Sequence, residues 1–390
     1  MLPIARTCCR RLPVSATRHF LTPAQRRGIS DTSGSEANGD SQSSHAVIFS
    51  GIQPTGTPHL GNYLGAMRQW KRLQDIKGAE DKLFFSIVDL HAITMPQDAE
   101  ALRHRKREML AALLAIGLDP KKSTMFYQSS VTQHSELMWI LSCTASMGYL
   151  GRMTQYKSKL MAKNKPGDMS EAFHSQLKLG LFSYPVLQAA DILVHRATHV
   201  PVGDDQRQHL EFARECVTNF NHAYKKGLLI SPETITTPSP RVMSLQNPYE
   251  KMSKSSPNER SRILITATPE EIKKRIMAAV TDSINEVTYE PQARPGVANL
   301  LDILAQCSPK KETTPEDVAD SLRGAKLGDL KTACAAAVVS ELEGLRERYA
   351  ELFVRDGGKY LDDVGAAGAE VARRNAEETM RLVRDAVGLA

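Results

Sequence analysis

The sequence predicts a doubly wound parallel α/β sheet followed by an all-helical C-terminal part, and three observations carry that prediction. Short apolar runs alternate with helical periodicity between residues 46 and 261. A Gly/Pro loop (Pro54-Thr55-Gly56-Thr57-Pro58-His59-Leu60-Gly61-Asn62) stands where the first such run meets the first helix, at the kind of strand end where these sheets bind ligands. From Pro269 onward every periodic stretch is helical.

Taken in order, residues 46–50 read as a buried strand entering the loop. Tyr63, Leu64, Met67, Trp70 and Leu73 then follow helical spacing, and residues 83–88 form a second apolar strand. Asp98 is placed to cap a helix that runs to Ile116, with Gly117 as its stop and Pro120 beyond. Residues 124–128 read as a third strand and 135–144 as helix. Residues 157–170 break the periodicity and gather four lysines, the pattern of a surface loop. Helix is expected at 171–195 and 206–223, with a short strand at 199–203 between them, and Val242–Leu245 is the last expected strand. Helices at 269–280, 297–307, 314–323, 327–353 and 361–388 complete the chain. At 390 residues it exceeds one typical domain, and we place a domain change at 261/262.

The N-terminus is set apart by composition. Its first 30 residues carry six arginines and no acid, which is the make-up of a mitochondrial presequence, and residues 31–45 form a polar linker with nothing to bury. Against Asp31, Glu36 and Asp40 those arginines account for half of the net charge of +6, so basic balance says little about nucleic acid. No stretch reaches the 18 or so apolar residues of a membrane helix. Cys143, Cys216, Cys307 and Cys334 are scattered, with no spacing that predicts a zinc site or a disulfide framework.

Two motifs carry the chemistry. The Gly/Pro loop lets phosphate oxygens approach backbone N–H groups and a helix N-terminus. His59 and Asn62 add side-chain donors there. The second motif, Lys251-Met252-Ser253-Lys254-Ser255, places two ammonium groups on a flexible segment, suited to the charge that grows on a leaving pyrophosphate. A given five-residue string occurs by chance in about one chain in ten thousand of this length. Together they predict an enzyme that handles ATP.

HLGN and KMSKS resemble the two signatures of the class I aminoacyl-tRNA synthetases, whose HIGH motif the first one matches apart from Asn62 at the last position. Further stretches narrow the likeness: Phe49 to Pro54, Val88 to Thr94, Arg152 to Lys157, Tyr184-Pro185 through Ala189 to Leu193, and Val200 to Gln206. In register from about residue 47 to 390, these are similar to tryptophanyl-tRNA synthetases and, with the presequence, to their mitochondrial form. The resemblance implies a Rossmann-like catalytic domain at 46–261 and a helical anticodon-binding domain at 262–390. It also implies ATP with Mg²⁺, L-tryptophan and tRNA(Trp) as substrates, a homodimer, and the mitochondrial matrix as location.

Residue roles follow from the same resemblance. Asp191 would accept the indole N–H of tryptophan, a donor-only group for which a carboxylate is the matching partner. Phe49, Gly51, Val88, His91, Tyr184 and Gln188 would line the amino-acid pocket. Gln53, Gly61, Asn62, Gly203, Asp204, Asp205, Gln206 and Val242 would hold ATP, together with Lys251, Met252, Ser253, Lys254 and Ser255, while Lys157 would reach a phosphate from its loop. His59, Asn62, Lys251 and Lys254 would act in catalysis, and no resident metal ion is implied. Two departures stand out: Ser256 replaces the acid that usually follows KMSKS, and Gln188 replaces a Met frequent in bacterial relatives. Tyrosyl-tRNA synthetase is the alternative that Gln188 favours. A small-molecule adenylyltransferase shares the first loop but lacks KMSKS and the helical part. A non-catalytic RNA-binding relative would not need His59, Lys251, Lys254 and Asp191.

Overall fold

The computed structural model describes residues 45–155, 177–203, 206–224, 226–236, 241–254, 256–310 and 313–390. The expected presequence, the lysine loop with Lys157, Asp204, Asp205 and Ser255 lie outside the described residues. Residues 45–390 form one compact unit.

Five parallel strands, β1 (Val47–Ile52), β2 (Lys82–Ile87), β3 (Thr124–Tyr127), β4 (His199–Val202) and β5 (Glu233–Thr236), stand in the order β3-β2-β1-β4-β5. Alternate side chains along a strand point to opposite faces, and both faces are apolar here. Ile48, Leu83, Phe85, Ile87 and Met125 enter one core, whereas Phe49, Phe84 and Phe126 enter the other. Helices cover both faces, as a parallel sheet requires. The register pairs Phe49 with Phe84 across β1 and β2. Between β1 and β4 the only register pair is Ile48 with His199, near the start of both strands. Their carboxyl ends leave a crevice at the point where strand order reverses, the position at which such sheets bind ligands.

The first helix, α1, runs through Leu60–Asn62, a π-helical turn Tyr63–Met67 and Arg68–Ile76. Across the cores stand α2 (Asp89–Ala92), α3 (Ala99–Ala115, capped by Asp98 as expected), α4 (Gln133–Ser142), α5 (Met147–Arg152), α6 (Leu179–Leu193) and α7 (Arg207–Tyr224). The C-terminal helices are α8 (Pro269–Met277), α9 (Pro295–Gln306), α10 (Pro315–Ser321), α11 (Leu327–Glu341), α12 (Leu345–Val354) and α13 (Tyr360–Val387). α8 and α9 pack on α11, and α12 packs on α3.

Three expectations are corrected. The last strand is Glu233–Thr236, not Val242–Leu245; Met243 instead makes an antiparallel bridge to Lys251. The expected helix 327–353 is broken between α11 and α12 by Gly344, whose φ of 67° an L side chain would resist. The final helix, α13, does not stay with the other C-terminal helices. Ala369, Ala372, Ala376, Met380 and Val383 repeat at helical spacing and fill the core that contains Phe84 and Phe126. At Gly368 the helix comes so close to the edge strand β3 that a Cβ would lie 1.8 Å from the Met125 carbonyl oxygen.

Candidate active site

The crevice at the ends of β1 and β4 is a cavity of about 540 Å³. It gathers Phe49, Gly51 and Gln53 from β1 and its exit, Gly61 and Asn62 from α1, and Val88 and His91 from the end of β2 and α2. Tyr184, Gln188 and Asp191 come from α6, Gly203 and Gln206 from beyond β4, and Val242 and Lys251 from the bridged segment. Fourteen residues expected at the site from sequence therefore meet around one space.

The loop at its rim owes its shape to pairing with a distant segment. Leu60 N–H donates to the Ile263 carbonyl at 2.8 Å, Ile265 N–H donates to Pro58 O at 3.0 Å, and His59 bridges Leu264 in antiparallel fashion. Thr57 Oγ1 adds contacts to Glu108 Oε1 at 3.2 Å and Tyr349 Oη at 3.3 Å. His59 and Asn62 then cap α1 reciprocally: His59 N–H donates to Asn62 Oδ1 (3.1 Å), and Asn62 N–H donates to His59 Nδ1 (3.2 Å). Burial, reinforced by Lys254, Lys251 and Arg262, lowers the His59 pKa to about 3. The ring is thus neutral at pH 7, with Nδ1 accepting and its proton on Nε2. His59 itself is buried and does not line the cavity. It lies behind Gly61, where a Cβ would stand 3.1 Å from the imidazole.

The two motif lysines take different places. Lys251 is exposed and lines the cavity. Lys254 is half-buried, donates from Nζ to Gly56 O and has its pKa lowered to about 8, chiefly by burial. Met252 is buried, and its N–H donates to Val242 O at 3.1 Å, so the run hangs from the segment that holds Val242. Ser253 is partly buried.

At the opposite end sits Asp191, fully buried. Its Oδ2 meets His91 Nε2 at 2.8 Å; its Oδ1 meets His134 Nδ1 at 2.7 Å and accepts from Gln128 Nε2 at 2.6 Å. Burial works to raise its pKa, but the His134 and His91 hydrogen bonds overcome it and hold the carboxyl down at about 2. An ionised carboxylate has about four acceptor positions. Three are occupied by protein, and the side chain faces the cavity with one remaining. Tyr184 Oη lies 3.0 Å from His209 Nε2, with its pKa pushed up to about 12 by burial, and His91 meets the Tyr184 ring edge-on. Gln188 donates from Nε2 to Gln206 Oε1 at 3.2 Å, which ties α6 to α7's N-terminal approach.

Sequence reasoning missed Gln128, His134, Gln155 and Arg241, although Gln155 and Arg241 line the cavity. Gln155 falls inside a quoted stretch and could have been found there. His134 lies on an apolar helix and gave no signal.

The sequence profile of the class I tRNA synthetases (W and Y) matches residues 41–343. A mitochondrial tryptophan–tRNA ligase from Schizosaccharomyces pombe is 44% identical over 352 residues, covering 89% of this chain and 96% of that protein. The structure of tryptophanyl-tRNA synthetase from Mycoplasma pneumoniae superposes with a TM-score of 0.75 at 32% identity, covering 89% of this chain and 99% of that one. The Campylobacter jejuni enzyme, solved with ADP and tryptophan, gives 0.69 at 32% identity over 88% of this chain and all of that one. Together with a site that joins both signature motifs around one cavity, these likenesses place the chain in the class I tRNA synthetases for tryptophan and tyrosine, within the tryptophan–tRNA ligase family.

Proposed function

We propose that the protein activates L-tryptophan with ATP to tryptophanyl-adenylate and pyrophosphate, and then esterifies tRNA(Trp). The observation that carries the amino-acid assignment is Asp191, a buried anion held by three donors at one end of the cavity. Only a ligand donor completes its coordination, and the indole N–H of tryptophan is donor-only. The ring would rest among Phe49, Gly51, Val88, His91, Tyr184 and Gln188.

A tryptophan carboxylate oxygen forms a bond to the α-phosphorus of ATP while the bond to pyrophosphate breaks. The 2′-hydroxyl of the terminal tRNA ribose then takes the acyl group, and AMP leaves. No protein nucleophile is required; the protein contributes position and charge. Gln53, Gly61, Asn62, Gly203, Gln206 and Val242 would seat the nucleotide, with Asp204, Asp205, Met252, Ser253 and Ser255 from the same segments and Lys157 from its loop. His59, behind Gly61, would act by holding the helix cap that presents Gly61 and Asn62 to the phosphates, and Lys251 and Lys254 would meet the departing pyrophosphate. Among the described residues no three His, Cys, Asp or Glu side chains are grouped to hold a metal ion. Mg²⁺ would enter on the phosphates of ATP as part of the substrate, supplying charge neutralisation there.

We place tRNA anticodon recognition in the helices after residue 262, catalysis in a homodimer, and the protein in the mitochondrial matrix. The arginine-rich first 30 residues and the mitochondrial name of the yeast relative support that location. Among the described residues no helix is long and apolar enough to cross a membrane. Pyrophosphate exchange into ATP, with tryptophan and tyrosine compared, tests the reaction. Exchange with tryptophan alone is expected; exchange with tyrosine alone would move the specificity, and none with either would remove the activity. Sedimentation showing a stable, active monomer would overturn the dimer.

A further inference from the structure

Behind Asp191 the hydrogen bonding continues away from the cavity. His134 Nε2 lies 3.3 Å from His195 Nε2, and His195 Nδ1 lies 2.9 Å from Asn375 Oδ1. His134 and His195 are both buried. The His195 ring is stacked between Phe84 (centroids 4.6 Å apart) and Phe49 (5.6 Å), with Phe126 edge-on at 5.7 Å. A phenylalanine would fill that slot with no polar atoms to satisfy, whereas an imidazole must find partners for both nitrogens. It finds them at the two ends of the chain, Asn375 and His134. Burial, with His134 adding to it, lowers the His195 pKa to about 3, so the ring is neutral and offers one donor and one acceptor.

We propose that His195 and Asn375 are positioning residues for tryptophan: they orient His134, and through it they aim the Asp191 carboxylate at the indole N–H. Asn375 Oδ1 accepts from His195 Nδ1–H, so the His195 Nε2 lone pair accepts from His134 Nε2–H while His134 Nδ1–H donates to Asp191, the two donors of one imidazolium paired with the carboxylate. Because Asn375 belongs to α13 (Tyr360–Val387), the amino-acid pocket is completed from the C-terminal helix. This rests on the reading of Asp191 as the indole partner.

The test is pyrophosphate exchange by the full chain and its variants. The substrates compared are tryptophan and its sulfur isostere without an indole N–H, benzothienylalanine. His195→Phe and Asn375→Ala should each raise the KM for tryptophan about tenfold, the scale of a weakened charge-assisted hydrogen bond, with the KM for ATP unchanged within about twofold. His195→Gln, which keeps an oxygen acceptor toward His134, should recover most of the loss. With the isostere neither breaking variant should carry a selective penalty. Equal rises for both substrates, no rise for tryptophan, or the same penalty with the isostere would overturn the proposal. Asp191→Asn, measured alongside, separates the layers. If it alone damages tryptophan KM, the indole reading stands and the relay falls; if it leaves that KM intact, the indole reading falls and the relay with it. Thermal melts follow folding, and the half-buried Asn375 carries the test should His195→Phe not fold.

Discussion

Lys254 Nζ donates to the carbonyl oxygen of Gly56, so the lysine of the second motif rests on the loop of the first. The contact spans 198 residues of sequence and holds an ammonium against the Gly/Pro loop. Glu108 stands on the same side, hydrogen-bonded to Thr57 and electrostatically coupled to Lys254.

Removing that charge should affect the reaction more than binding. Lys254→Ala is expected to slow adenylate formation by about 10²-fold or more, the scale of losing one preorganised charge-stabilising group, while the Kd for tryptophan changes little. Rapid-quench single turnovers and equilibrium titration measure the two. Equal damage to both would remove the transition-state role.

The pH dependence has a defined sign. Burial lowers the Lys254 pKa, Glu108 partly restores it, and Arg105 and Arg262 lower it again, leaving it at about 8 instead of 10.5. In the free enzyme the ammonium is therefore present below pH 8 and lost as pH rises through that value. Since kcat/KM reports the free enzyme, kcat/KM for ATP should fall on the alkaline side of about pH 8. His59, at about 3, contributes no limb between pH 5 and 9. Lys254→Arg should lose the alkaline limb, because guanidinium stays charged throughout. A limb unchanged in that variant would assign it to another group.

Asp191→Asn replaces an anion with a group that is half donor. Its amide faces His91, His134 and Gln128, three partners arranged around an acceptor. The KM for tryptophan should rise by at least about tenfold, since hydrogen bonds to charged groups are worth about 1.5–3 kcal/mol. Steady-state exchange at varied tryptophan gives the value.

Gly368→Val tests how closely α13 lies on the sheet. The first added carbon would overlap the Met125 carbonyl, and backbone cannot step aside as a side-chain tip can. Overpacking of this kind costs about 1–3 kcal/mol, occasionally more, so a clear fall in Tm is expected by differential scanning. An unchanged Tm would show that the helix slides freely along β3.

Much of this was legible in the chain. Strands β1 to β3 announced themselves because each is apolar on both faces, and the two motifs carried enough rare spacing to mark Gly61, Asn62 and Lys251, which line the cavity. Glu233–Thr236 was not legible: it holds one apolar residue, Ile235, sits at the sheet edge and is flanked by prolines, so it reads as a loop. Val242–Leu245 looked like a strand because it is apolar, but it buries Val242 and Leu245 in the core and bridges Lys251 without joining the sheet. The clamp on Thr57 escaped for another reason, since Glu108 and Tyr349 lie 51 and 292 positions away. The same holds for His195 and Asn375, separated by 180 positions with no local pattern to join them. Periodicity reports what a segment buries, not which segment it will bury it against.

The helix Tyr360–Val387 follows all five strands in the chain, so it leaves a ribosome after them and, where the chain crosses a membrane N-terminus first, crosses after them. Until it arrives, β3 is an uncovered sheet edge, open to unwanted pairing with other chains. The Gly/Pro loop between β1 and α1 has by then long been made. A nascent chain therefore holds most of its cavity lining early and its finished fold late, and a chaperone that shields β3 during that interval would protect the enzyme when it is most prone to aggregate.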